Sequence, residues 1–449
     1  MHFHFACSKG HQWGDGDDNM PVGVLAASCP ICGGTVSVIP QLELGETSAA
    51  VCVASSAKLL LDQSHPPERA AHTRKGRWRA FAGAILVLTV VSGMVFSLVH
   101  GQRHKKRDQH LSLGQDCFQR KEYDCALAEY TEAIRLDPSF ALTYAIRASV
   151  YFNQGDLDLA INDCNCSLKL DPNLALAYAN RAGAYLNQSK LDCAIADCSR
   201  AIELDSQSVV AFVNRGAAHL NKGDFDDAIA DCTQALELDG KSALAFANRG
   251  AAFFHKGDYD RAIADCSQAV ANDPSLALAY LNRGAAFLAN GDSAGAVADC
   301  SQALRLDPAL ARAYAVRSAA FFNKGDDFAT IEDADEALRR DPTLTFVYGN
   351  RGLAHLRLGQ VVKALDDFNQ AIEREPRLAI IYAYRGAIHL NRGDNKQAIA
   401  DCDRALELNP KLALAYWNRS LVYARQGDYR RAEADQKKAL ELDPALGRQ

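Results

Sequence analysis

The sequence predicts an all-α chain, mainly a solenoid of paired helices, with one membrane-spanning helix and a small metal-binding segment ahead of it. Three observations carry this prediction. From Asp108 to Leu446 an Asp-Pro or its relic recurs every 34 residues, at 137, 171, 205, 239, 273, 307, 341, 375, 409 and 443. Such a period means stacked units that bury their apolar faces only against their neighbours. Ala80 to Val99 runs for twenty residues without a charge, and the first forty residues place cysteine and histidine at ligand-like spacing.

Residues 1–40 hold Cys7 and His11, then Cys29-Pro-Ile-Cys32-Gly-Gly. A CPxCG turn aims two thiolates at one metal, and Cys7 with His11 completes a tetrahedral zinc set. The segment resembles a short zinc ribbon, although Cys-x3-His departs from the usual paired knuckles. His2 or His4 is an alternative to His11, and a redox CxxC is an alternative to the metal site. Four ligands leave no open position, so the zinc is expected to be structural, and so little apolar sequence could hardly fold without it.

Residues 41–79 read as a flexible linker that ends in a basic run, Arg69 to Arg79. Residues 80–99 are long enough to span a hydrocarbon core of roughly 30 Å, with Trp78 at the edge as an interfacial anchor. They begin too late for a secretory signal. Basic residues flank both sides, 100–106 forming a basic juxtamembrane segment, so the positive-inside rule finds almost no asymmetry. The expectation is a single-pass membrane protein with its N-terminus on the cytoplasmic side.

Residues 107–446 are the ten units. Each reads as helix, tight turn at Gly-Asp, helix, and a short loop at Asp-Pro, where proline cannot continue one helix and can begin the next. With that proline as position 32, position 8 is Gly, Ala or Ser in every copy, position 20 is Ala in nine of ten, and position 27 is Ala or Ser. Small residues there, with an aromatic at position 4, resemble the tetratricopeptide repeat family over residues 107–446. The resemblance implies a right-handed superhelix of antiparallel helix pairs whose first helices line a concave groove for peptides or protein segments.

From the second copy onward position 7 is arginine and position 23 is aspartate, from Arg147 with Asp163 to Arg419 with Asp435. The first copy has Leu113 and Glu129, as suits a cap. The planar guanidinium fork predicts a pair between the helices of a unit or between neighbouring units, with a role in register more than in ligand binding. Position 24 is cysteine six times: Cys164, Cys198, Cys232, Cys266, Cys300 and Cys402. Equivalent positions in adjacent hairpins lie about a helix diameter apart, roughly 10 Å, which is beyond disulfide reach. These thiols are expected to pack as small apolar groups.

In the family the groove is made by positions 2, 5, 6, 9, 12 and 13 of the first helix. Position 6 carries Asn180, Asn214, Asn248, Asn282, Asn350 and Asn418, and position 13 carries Asn153, Asn187, Asn221, Asn323 and Asn391. Asparagine is a poor helix former, and its amide can pair with a peptide unit whatever the side chain. The array looks like the asparagine ladder of O-linked N-acetylglucosamine transferase, which implies an extended segment held by its main chain. The competing reading is that these amides bridge neighbouring helices.

Lysine is absent from positions 5, 6 and 9, which disfavours a carboxylate clamp for chaperone tails. From residue 107 onward there are 39 basic and 48 acidic residues, net −9, which argues against nucleic acid and for a neutral or basic polypeptide partner. No phosphate loop or nucleophile motif marks an enzyme. The sequence therefore points to a membrane-anchored protein–protein interaction scaffold. A self-associating assembly protein and a non-catalytic targeting subunit for an enzyme partner are the alternatives.

Overall fold

The computed structural model describes residues 82–448 and three short strands near the N-terminus, with side chains described for 101–446. The strands are β1 (His4–Cys7), β2 (Gln12–Gly14) and β3 (Val36–Ile39). They form an antiparallel sheet in the order β2-β1-β3, with Phe5 opposite both Trp13 and Val38. This sheet is an addition to the expected all-α class. The chain divides into two compact units, one of Ser48–Gly240 and one of Met1–Thr47 with Lys241–Gln449.

Among the described residues no helix is long and apolar enough to cross a membrane. That finding overturns the expected span at 80–99 and the single-pass location with a cytoplasmic N-terminus. The stretch instead opens one continuous helix, α1 (Ala82–Gln119), which runs on through the basic 100–106 segment into the first repeat. Its far end buries Leu111 and Cys117 against α2 (Tyr123–Leu136) in a cluster with Tyr130 and Ile146. Arg107 donates to Asp137 at 2.7 Å, and its guanidinium lies 3.9 Å from the centre of the Phe140 ring. A twenty-residue hydropathy window isolates the apolar part, whereas the helix has no break there.

Beyond α2 each repeat supplies a first and a second helix of 13 or 14 residues, from Ala141–Gln154 to Tyr429–Leu442. The Asp-Pro junction explains where the second helices stop. Proline drives the residue before it out of the helical region, and Asp307 is extended at φ −137° and ψ 96°. Its carboxylate then accepts the N–H of Ala309 at 2.9 Å, a local turn that seeds the next helix. The turn inside a repeat needs a left-handed residue, as at Gly223 with φ 91°; Ser189 takes the same conformation at φ 57°.

The small residues at position 8 sit where the two helices of a repeat cross. A Cβ on Gly250 would lie 2.6 Å from the Cys266 sulfur and 3.1 Å from the Ala262 carbonyl. The six position-24 cysteines are fully buried at that crossing, as expected, while Cys166 and Cys193 are exposed. Burial pushes the Cys402 thiol up to about 12 and the Cys266 thiol further. Within each unit, first helices of successive repeats touch one another and so form a continuous face. After the last repeat a short 3-10 turn, Pro444–Arg448, tucks Leu446 into the core of the second unit.

All nine Arg–Asp pairs form, each within one repeat and each bidentate. Arg283 Nε and Nη2 donate to Asp299 at 2.6 and 2.8 Å, and Arg419 does the same to Asp435 at 2.7 and 2.9 Å. The third nitrogen reaches the preceding repeat at position 25: Arg181 Nη1 to Asn165 at 2.6 Å, Arg283 to Ser267 at 3.2 Å, Arg385 to Asn369 at 2.7 Å. The arginine–aspartate pair thus forms within a repeat, the first of the two sequence alternatives, and the same guanidinium makes a separate bond to the preceding repeat. The hydrogen bond to Asp299 holds the Arg283 guanidinium above its usual value, against the opposing effect of burial.

Asp299→Ala strands a half-buried arginine, and we expect it to lower the unfolding free energy by about 3–5 kcal/mol in urea denaturation. Replacing both partners with Arg283→Met and Asp299→Leu should cost much less; equal losses would contradict the pairing account. Thiol labelling of the folded protein should modify Cys166 and Cys193 at least about 100-fold faster than the position-24 cysteines, which react only when a repeat opens. Mass spectrometry of the labelled sites reads this directly.

Candidate functional site

The face built by the first helices places the eleven predicted asparagines in two distinct settings. Position 6 lies in the contact between first helices. Asn180, Asn214, Asn248, Asn282, Asn350 and Asn418 are all at most 3 % exposed. In four of them the amide nitrogen donates to the backbone carbonyl 35 residues earlier, one repeat back. Asn180 bonds Ala145 at 2.9 Å, Asn214 bonds Ala179 at 3.3 Å, Asn282 bonds Ala247 at 3.2 Å and Asn418 bonds Ala383 at 3.0 Å. A helix carbonyl accepting a second bond this way ties each first helix to the one before it.

Position 13, two turns further along the first helix, is more open. Asn153, Asn187 and Asn391 are exposed, Asn221 is partly buried and Asn323 is buried. Asn153 donates through its amide nitrogen to the Ser149 carbonyl of its own helix at 2.7 Å. Position 2, expected to be apolar, is half-buried at Leu176, Leu244 and Leu278 and buried at Leu414. Arg312 replaces leucine there in the seventh repeat. It lines a cavity of about 680 Å³ with Leu281, Asp307, Arg340, Asp341 and Thr343. Burial, with the Arg312 charge adding to it, lowers His255 at position 13 to about 4, so its imidazole is neutral at pH 7.

Two buried amides break the position-6 pattern. Both polar atoms of Asn248 and of Asn350 are buried without a hydrogen-bond partner. An unsatisfied buried amide costs free energy.

Of the four predicted zinc ligands, Cys7 ends strand β1, while His11, Cys29 and Cys32 lie outside the described residues. Among the described residues, Cys117, Glu122 and Cys125 and also His219, Asp224 and Asp227 converge closely enough to share an ion. The first group's thiols are already joined in a disulfide, Cys117–Cys125, between the helices of the first repeat. Sequence reasoning missed this bond because it compared cysteines at one repeat position only; the signal was two cysteines flanking the first turn.

Asn282→Ala removes an inter-repeat bond and should destabilise the protein by about 1–3 kcal/mol. Asn350→Val removes an amide that bonds nothing and should leave stability unchanged or raise it. Urea denaturation of the two variants separates these outcomes, and equal losses at both sites would refute the assignment of the bonds.

A comparison with curated proteins finds no match. Solved structures similar to this chain include a tetratricopeptide repeat protein from Parabacteroides merdae, 18% identical over 56% of this chain and 99% of its own, with a TM-score of 0.42. Yeast Tom70 is 20% identical over 76% of this chain and 86% of its own, with a TM-score of 0.36. The human IFIT1 dimer with PPP-AAAA is 14% identical over 77% and 93%, with a TM-score of 0.46. Models described as tetratricopeptide repeat or TPR repeat match residues 114–155, 141–174, 213–277, 268–311, 347–378, 379–412 and 413–446. Those matches span more than half of the sequence, and the chain belongs to the tetratricopeptide repeat family.

Proposed function

We propose that the protein is a protein–protein interaction scaffold whose first-helix face holds an extended polypeptide segment by its main chain. The observation that carries this reading is the run Asn153, Asn187 and Asn221 at the same position of three successive repeats, with the first two exposed. Adjacent helix pairs stack roughly 10 Å apart, which matches three residues of extended chain at about 3.3 Å each. One amide per three residues can bond a passing peptide backbone without regard to its side chains. The residues at position 9 between them are small, Gly183 and Ala217, and leave room for a chain to approach. The excess of acidic residues favours a neutral or basic segment.

We assign the chain no catalysis of its own; its contribution is to position what it binds. We also propose that Cys7, His11, Cys29 and Cys32 hold a structural zinc, since three thiolates and an imidazole make a tetrahedral set with no site left for substrate.

Peptides selected from an unstructured display library against the full-length protein should share no fixed side-chain motif. Changing Asn153, Asn187 and Asn221 together to alanine should weaken their binding at least about tenfold by fluorescence anisotropy, as the loss of three modest hydrogen bonds predicts. Unchanged affinity in a variant with an unchanged urea midpoint would remove this reading.

A further inference from the structure

The second helices carry a different pattern near the internal turn. Position 18 is aspartate in the first five repeats, Asp124, Asp158, Asp192, Asp226 and Asp260. At Asp124, Asp158, Asp192 and Asp260 it serves as a latch that accepts a bond from position 14 of the next repeat. Gln154 donates to Asp124 at 3.2 Å, Gln188 to Asp158 at 2.9 Å and Asn290 to Asp260 at 3.4 Å. From the sixth repeat the aspartate leaves this position, which becomes Ala294, Phe328 and Val362. Phe328 is 74% exposed and Val362 is 64% exposed. Leu358, half-buried, takes the position-14 place between them.

The seventh repeat keeps a polar contact to the next one through Asp327, 3.2 Å from Arg357 Nε, so the exposed phenyl ring at position 18 is not what joins these repeats. The surroundings of this stripe are ordered by charge. In the position-14 row Leu358 is flanked by Lys324 and Arg392, both exposed. One helical turn beyond Phe328 and Val362, at i+4, stand Glu332 and Asp366, also exposed. None of these four charges has a partner among the described residues. The apolar stripe thus has Lys324 and Arg392 on one side and Glu332 and Asp366 on the other, with the exposed Lys363 beside Asp366.

We propose that this stripe docks an amphipathic helix of another protein. That helix presents apolar side chains to Phe328, Leu358 and Val362. Its acidic edge faces Lys324 and Arg392, and its basic edge faces Glu332 and Asp366. From Ala294 to Lys396 the row covers three repeat steps, about 30 Å at roughly 10 Å each, the length of a helix of about 20 residues. A second copy of this chain is the competing occupant, because a two-fold axis along the stripe would set its basic row on the other copy's acidic row; a dimer in sedimentation of the protein alone that Phe328→Asp with Val362→Asp abolishes would overturn the proposal. The site lies on second helices and does not depend on the peptide-binding reading of the first-helix face.

The test uses the full-length protein and three synthetic helical peptides of about 20 residues. All share a leucine stripe; one has a glutamate edge and a lysine edge, one has glutamate on both edges, and one has lysine on both. In fluorescence anisotropy the mixed-edge peptide should bind about tenfold more tightly than either single-sign peptide, as several weak exposed pairs acting together allow. Phe328→Asp with Val362→Asp should abolish the binding. Glu332→Lys with Asp366→Lys makes both sides basic and should transfer the preference to the glutamate-edged peptide, an outcome that general stickiness or the net acidity of the chain does not produce. Equal binding of the three peptides, full binding by the double aspartate variant, or an unchanged ranking in the double lysine variant would each overturn the proposal. Urea midpoints equal to that of the parent protein establish that the variants are folded.

Discussion

A hairpin of 34 residues cannot bury its own apolar face, so everything in this fold depends on how firmly one hairpin grips the next. The arginine at position 7 does much of that work. Its Nε and Nη2 hold the aspartate of the second helix in its own repeat, and its Nη1 reaches back to position 25 of the repeat before, as Arg181 does. Three helices meet at one guanidinium, over the aromatic ring at position 4, as Arg181 over Tyr178 at 5.5 Å. Net stabilisation by each such half-buried pair is small, because desolvation offsets the Coulomb attraction. What it supplies is geometry, since a planar fork accepts few rotations of one helix against another. The first repeat, with no repeat before it, has Leu113 and closes instead through His110 and Glu129 at 2.6 Å.

With rotation fixed, the residues between the helices are constrained to be small. Glycine, alanine or serine at position 8 lets the backbones approach, and cysteine at position 24 fills what remains. Where a larger group fills the space, glycine opposes it. Gly114 faces Tyr130 and Gly352 faces Phe368, and a Cβ added to either glycine would lie 2.6 Å from the ring. The same rotation turns position 6 into the neighbouring first helix, where an asparagine finds a carbonyl one repeat back. Amides at position 6 thereby complement the arginine fork, one tying first helix to first helix and the other tying first helix to second.

Much of this was legible in the sequence, and the illegible parts share a physical cause. The period, the proline and the glycine placed the helix ends closely, because those signals act through the local backbone. The pairing of position 7 with position 23 was visible as two charges that recur in every repeat after the first. Its third bond was veiled because position 25 varies among Thr131, Asn165, Ser199, Ser267 and Asp335; the common property is that each can accept a hydrogen bond. Asparagine at position 6 and at position 13 looked alike in sequence, since both fall on the family's groove positions. Only the stacking of neighbours separates the wholly buried row from the one in which Asn153, Asn187 and Asn391 are exposed. The uncharged run at 80–99 misled for the opposite reason: local composition was strong, but the helix boundary it implied does not exist in α1.

Repetition also determines where function can be sought. A residue that recurs at one position in nearly every repeat is explained by the contact that every repeat makes. The arginine at position 7, the aspartate at position 23 and the asparagine at position 6 are largely explained in this way. Information about a ligand has to reside where the repeats differ while their contacts stay the same. Position 18 is such a place: its backbone environment is constant along the chain, yet it runs from Asp260 through Phe328 and Val362 to Lys396 and Arg430. Position 13 is another, changing from Asn221 to His255, Ala289 and Arg357 along the first-helix face. Exposed apolar side chains scattered singly, such as Tyr429, are ordinary, whereas Phe328 and Val362 share one position in adjacent repeats with Leu358 between them. The exposed Phe328 and Val362 therefore weigh more as evidence for a partner than the buried residues that repeat without change.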